Sequence, residues 1–151
     1  MRAAAAVALV FSLSASADCR KDDFNRYLAA AVRLYEGLEY ERALDQINKA
    51  KDASCGVDDD AIAGLYEGII RSDLGDTEKA KAAFKEALLL KPDAEVPLKV
   101  SPKVKKLIEA LRTEAKKELA PILARQEEER RKKIAEENER LERARREEEA
   151  R

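Results

Sequence analysis

Few side chains in this chain are equipped for covalent chemistry. It carries two cysteines, Cys19 and Cys55, and no histidine. Without an imidazole there is no Ser-His-Asp triad, no Cys-His dyad and no histidine-ligated metal. Two thiols alone complete neither a four-cysteine zinc site nor an iron–sulfur cluster. Three consecutive acids, Asp58-Asp59-Asp60, lack the alternating ligand positions and the glycine of a calcium loop. At a helix start they are expected to cap it and complement its dipole. No glycine-rich phosphate loop, nucleophile elbow or isolated carboxylate pair is present. The expectation is therefore a non-enzyme with no cofactor and no metal, and a binding or structural role.

The charge balance narrows the partners. Thirty basic and 31 acidic residues leave a formal net charge of −1. No bulk field draws in nucleic acid or an anionic membrane. Lys99, Lys103, Lys105 and Lys106 are clustered, but without interleaved aromatics or glycines they read as a solvated face. With 151 residues the chain has room for one small domain plus an appendage. Glycine is only 5 and proline 4, so an all-helical architecture is expected.

Arg2, the apolar stretch Ala3 to Phe11 and the small residues Ala15-Ser16-Ala17 have the three parts of a secretory signal peptide. The apolar stretch is too short for a membrane span, which takes about 20 residues. Cleavage between Ala17 and Asp18 would place the product in the bacterial periplasm or outside the cell. Asp18 departs from the small residue that lipidation of Cys19 would need. In an oxidising compartment Cys19 is better used in a disulfide with Cys55.

Phe24, Tyr27, Leu28, Ala31, Leu34 and Tyr35 recur at helical spacing and predict a helix over 22–36, broken at Gly37. Tyr40, Ala43, Leu44, Ile47 and Ala50 mark a second over 40–53. So short a connection makes the two antiparallel. The start of the first then lies beside the end of the second, which brings Cys19 to Cys55. On the loop-entropy model a bridge across this loop stabilises by about 3–4 kcal/mol. Asp58 opens a third helix with Ile62, Leu65, Tyr66, Ile69 and Ile70, ended by Gly75. Asp76 or Thr77 caps a fourth, with Ala80, Ala83, Phe84, Ala87 and Leu88 inward, stopped at Pro92.

At a 37-residue offset Ala43 falls on Ala80, Ile47 on Phe84, Ala50 on Ala87 and Leu28 on Leu65. Such internal repetition marks a helical solenoid. The second hairpin resembles the tetratricopeptide repeat (TPR) in Gly68, Gly75-Asp76, Ala80, Phe84, Ala87 and Pro92. The first hairpin is similar to a degenerate copy, and together they cover about residues 22–93. Pro92 through Ser101-Pro102-Lys103-Val104 also resembles a tail of exported bacterial tetratricopeptide proteins. The resemblance implies that the first helix of each pair lines a concave surface holding a partner. Those positions are Asn25, Leu28, Val32, Tyr35 and Glu36, then Ile62, Leu65, Ile69, Ser72 and Asp73. The clamp for a C-terminal carboxylate is missing apart from Asn25, so an apolar or helical protein or peptide segment is the implied partner.

Ser101-Pro102 starts a fifth helix carrying Val104, Leu107, Ile108, Leu111, Ala115 and Leu119 on one stripe. Two repeats need such a cap. Pro121 is expected to kink or break this helix. Residues 125–151 then hold ten basic and ten acidic side chains among 27. The i,i+4 pairs starting at Glu127, Glu128, Glu129, Glu136, Glu139 and Glu142 add about 0.2–0.5 kcal/mol each and can sustain a lone helix. Only Ile134 and Leu141 are spaced for a coiled-coil seam, which leaves weak self-association open. The expected organisation is a signal peptide at 1–17, two helical hairpins over 18–92, a linker and capping helix over 93–120, and a charged helix over 121–151. The expected function is an exported interaction module, or else a spacer or assembly element acting through the charged helix.

Overall fold

The computed structural model describes residues 19–151, and the signal peptide expected at 1–17, with its expected cleavage point, lies outside the described residues. Five helices follow one another: α1 (Lys21–Glu36), α2 (Tyr40–Asp52), α3 (Val57–Asp73), α4 (Thr77–Leu90) and α5 (Pro102–Glu149). No strand occurs among the described residues. The expected caps are in place. Asp76 accepts the Lys79 N–H at 3.4 Å, and Ser101 accepts that of Val104 at 3.3 Å. The two hairpins close by the same three turn hydrogen bonds, 37 residues apart, with the glycine shifted by one position. In the second, Gly75 takes φ +82°. In the first, Gly37 stays at φ −80° and Leu38 takes the left-handed position at +61°. α1 ends at Glu36 before Gly37 as expected, and the left-handed residue of that turn is the following Leu38.

α1 packs on α2, α3 on α4, α2 on α3 and α4 on the start of α5. Two hydrophobic clusters result. Phe24, Ala31, Ala43, Ile47 and Ala50 meet Ala63 and Ile70 of α3 in the first. Leu65 and Ile69 of α3 meet Phe84 and Leu88 of α4 and Ile108 and Ala115 of α5 in the second. α3 therefore supplies both clusters from opposite sides. It can do so because its approach to α4 is lined by small residues. A methyl group at Gly68 would fall 2.4 Å from the Phe84 ring, and one at Gly64 would fall 2.9 Å from Ala87 Cβ. Full burial of Phe84 contributes about 1.5–3 kcal/mol.

Cys19 and Cys55 are bridged, with sulfurs 2.07 Å apart and Cα atoms 4.7 Å apart. The bond closes the open end of the α1–α2 hairpin. Asp59 lies beside it and is 3% exposed. One of its carboxylate oxygens pairs with Lys21 Nζ, and the other accepts the Cys55 N–H at 3.0 Å. The acidic run thus does more than complement a dipole. Asp59 ties α3 to α1 and to the bridge, while Asp58 pairs with Lys91 at 2.6 Å.

On the outer face Glu67 lies between Lys51 of α2 and Arg71, and Arg71 reaches on toward Asp76 at 3.7 Å. Burial alone would raise the Glu67 pKa, but the hydrogen bonds from Lys51 and Arg71 outweigh it and hold the carboxyl below the ordinary 4.5.

α5 is one helix of 48 residues, and Pro121 lies inside it. Of the kink or break expected at Pro121, the break does not occur, and the capping and charged segments run on as one helix. Pro121 is exposed, so the carbonyl of Lys117 that loses its N–H partner can turn to water. Good helix formers and ion pairs hold the chain helical beyond it. Pairs form from Glu127 to Arg131 (2.9 Å), Glu128 to Lys132 (2.6 Å), Glu139 to Arg143 and Glu142 to Arg146 (3.3 Å). Arg140 pairs with Glu137 at 2.7 Å instead of the expected Glu136. Arg130 and Arg131 together draw the Glu127 carboxyl down to about 2.

Two outcomes are expected from this packing. Gly68→Ala forces a methyl group into a ring that has no room to move, and should lower stability by about 1–3 kcal/mol in urea unfolding. Glu67→Gln should cost about 1–2 kcal/mol at pH 7. A carboxyl with a depressed folded-state pKa stabilises above its unfolded-state value and loses that contribution as pH falls through the folded value. The difference between Glu67→Gln and the parent should therefore shrink as pH falls below the ordinary carboxyl value of 4.5, measured by the same unfolding assay.

Candidate functional site

After α4 the chain does not turn directly into α5. Pro92 ends the helical run, and residues 91–101 form an irregular link before Ser101 caps α5. Its side chains alternate in role. Val96, Leu98 and Val100 are half-buried and pack on the cluster that contains Leu65 and Ile69. Glu95 and Lys99 point to solvent. A period of two is the signature of an extended segment with one face covered.

Between this link and the hairpins lies a cleft of about 670 Å³. Leu28 of α1 and Ile62 and Tyr66 of α3 form one wall, and Ala94, Val96 and Pro97 of the link form the other. Lys91, Asp93 and Glu95 complete its lining. Two of these charges are fixed by partners, Lys91 by Asp58 at 2.6 Å and Asp93 by Lys116 at 2.6 Å. The Asp58 and Asp93 carboxyls are accordingly held below the usual carboxylate range by those lysines. Burial raises the Tyr66 phenol. An apolar lining with charged groups at its edge suits the burial of apolar side chains from a polypeptide.

Arg112 holds the link down. Its guanidinium donates to the Ala94 carbonyl at 2.9 Å and to the Pro92 carbonyl, and its side chain is 16% exposed. A planar fork of this kind is suited to two acceptors at once. Nothing in the local sequence marks Arg112, because its partners lie 18 and 20 residues away. Tyr66 shares the predicted apolar face of the third helix without being among the ten expected binding positions, and Ala94, Val96 and Pro97 fall in the expected linker. The alternation of Val96, Leu98 and Val100 was the signal available.

The ten positions expected on the concave surface separate into three groups. Leu28 and Ile62 line the cleft. Leu65 and Ile69 do not, being 0% and 2% exposed. They belong to the core, in one cluster with Phe84 and Leu88 of α4 and Ile108 and Ala115 of α5, against which Val96, Leu98 and Val100 of the link pack. The remaining positions surround these without forming one surface. Asn25, Glu36 and Asp73 are exposed, and Val32 and Ser72 are half-buried. Tyr35 packs against both hydrophobic clusters and donates its hydroxyl to Asp73 at 2.6 Å. Burial first, and then Asp73, push its phenol well above the ordinary tyrosine range.

A second hollow of about 440 Å³ lies at the disulfide, between Cys19, Lys21 and the Cys55–Asp59 turn. Its polar groups are already engaged in the Lys21–Asp59 pair and the Cys55 hydrogen bond. Among the described residues no helix is long and apolar enough to cross a membrane. Comparison with known proteins finds no matching family model, no matching curated sequence and no matching solved structure.

The division between core and cleft has a direct test by chemical denaturation. Leu65→Ala should cost about 2–5 kcal/mol, as expected for a fully buried leucine. Asn25→Ala should stay within about 0.5 kcal/mol of the parent.

Proposed function

We propose that this chain is an exported protein–protein interaction module, a TPR-like adaptor of the bacterial cell envelope. The observation that carries this reading is the cleft in which Leu28, Ile62 and Tyr66 face Ala94, Val96 and Pro97. Its partner is a protein or peptide segment that presents apolar side chains. Bonding of Cys19 to Cys55 and the absence of a membrane-spanning helix among the described residues are compatible with export. The N-terminal signal pattern supports it from the sequence side.

A second reading is favoured by one observation. The charged arm is continuous with the half of α5 that packs on the bundle, through Ile108 and Ala115. Residues 121–149 would extend about 43 Å at the helical rise of 1.5 Å per residue. That geometry suits a spacer or an assembly element. Ile134 and Leu141, 46% and 56% exposed and seven residues apart, offer its only regularly spaced apolar contacts beyond Leu123.

Crosslinking capture in the envelope separates the two readings. Mature 18–151, mature 18–120 and the full mature chain carrying Ile62→Lys would be compared. The adaptor reading expects equal capture by the first two and at least tenfold loss with Ile62→Lys. Capture that vanishes with the arm and ignores Ile62→Lys would establish the spacer or assembly role instead.

A further inference from the structure

The link between α4 and α5 lies where the sequence pattern placed a partner. It sets Val96, Leu98 and Val100 on the cluster to which Leu65 and Ile69 of α3 belong. The Val-Pro-Leu-Lys-Val run is neither helix nor strand, with a bend at Leu98, and Val96, Leu98 and Val100 recur at every second position. These are the features of a bound peptide, supplied by the chain itself. Its backbone is not locked in place. From Glu95 to Val100 no N–H donates to another described residue. What fastens the backbone lies at the end of the segment nearest α4: the Ala94 N–H on the Lys91 carbonyl at 3.0 Å and the Arg112 fork on the Pro92 and Ala94 carbonyls.

We propose that residues 94–100 are a displaceable internal ligand, a strap that keeps the inner face of α3 covered until a competing segment replaces it. The inference rests on the reading that this side of α1 and α3 binds polypeptide, and it adds the partner's chemistry and the gate. The competing segment is extended, carries aliphatic side chains at positions i, i+2 and i+4, and carries no carboxylate among those three. Its first apolar residue enters beside Leu28, Ile62 and Tyr66, where the cleft already gives access. Because the strap is tethered at both ends, its effective concentration at the groove is on the order of millimolar. A free segment of equal intrinsic affinity therefore binds poorly while the strap is seated. Its apparent affinity is reduced by the fraction of molecules that are open. Arg112 sets that fraction. Its removal should raise apparent affinity by about tenfold, the effect of losing a clasp of this kind.

The probe is a fluorescein-labelled synthetic peptide, Asp-Ala-Glu-Val-Pro-Leu-Lys-Val, titrated with the disulfide-bonded mature chain in an anisotropy assay. The control peptide has serine at the three aliphatic positions. Saturable binding of the probe but not the control is expected, with about tenfold tightening in Arg112→Ala and in Leu98→Ser. Arg112→Lys keeps the charge but not the fork, and should lie between parent and alanine. It also serves where Arg112→Ala is poorly folded by circular dichroism. Equal binding of probe and control, no binding to any folded variant, or unchanged affinity in both Arg112 and Leu98 variants would each overturn the strap. If affinity is unchanged while methyl resonances of Leu28 and Ile62 shift with the probe, the gate fails and the cleft remains a binding site. If the strap opens as expected but Ile62→Lys leaves envelope capture intact, the adaptor reading fails and the gate stands.

Discussion

Phe84 lies fully buried against the bare backbone of Gly68, and the close approach of α3 to α4 fixed there determines where both hydrophobic clusters lie. A side chain larger than hydrogen at 68 would drive the helices apart or displace a ring enclosed on all sides. Only at this spacing can α3 turn Leu65 and Ile69 to one cluster while Ala63 and Ile70 serve the other. The hairpins then share a helix layer instead of meeting at a surface. Chain entropy favours the same outcome, since two hairpins alone bury little and a shared layer counts twice.

The end of the molecule carrying the disulfide is tightly specified. The bridge, the buried Asp59 carboxylate, Lys21 and the Cys55 N–H all meet within one turn of α3. A carboxylate so nearly removed from water needs both its charge partner and its donor. The inner side is specified much more loosely. There an irregular segment with few backbone hydrogen bonds is held on the core cluster through packing and one arginine fork. Regions held in this way open at lower free energy than helices locked by ladders of bonds.

The arm obeys different physics from the bundle. Beyond Leu119 its side chains are almost all exposed, and its ion pairs run along the helix instead of across to a neighbour. Exposed pairs of this sort contribute little singly. They matter because each acts on a segment of strong helix formers, and they are sufficient to carry the helix through one exposed proline. Pro121 breaks the bonding pattern at a single carbonyl. It does not break the element, because neither side of it depends on the other for packing.

Much of the fold was legible in the residues themselves. Apolar spacing gave the five helical segments, and Asp76, Ser101 and Pro102 marked starts that are local in origin. The pairing of Cys19 with Cys55 followed from a short connection between two helices of similar length, which leaves few other arrangements. The candidate site was legible only in part. Leu28 and Ile62 were identified, but Leu65 and Ile69 carry the same periodic signal and were indistinguishable from them. Periodicity reports that a residue faces inward, not which segment arrives to cover it. That the cover is the chain's own link, fastened by Arg112 from 18 and 20 residues away, depends on contacts far apart in sequence. Local sequence thus determined the helices, their caps and the bridge, whose causes lie within a turn or a hairpin. The tertiary structure alone decided which apolar face became core and which stayed open as a cleft, because that depends on how the later half of the chain folds back over the earlier.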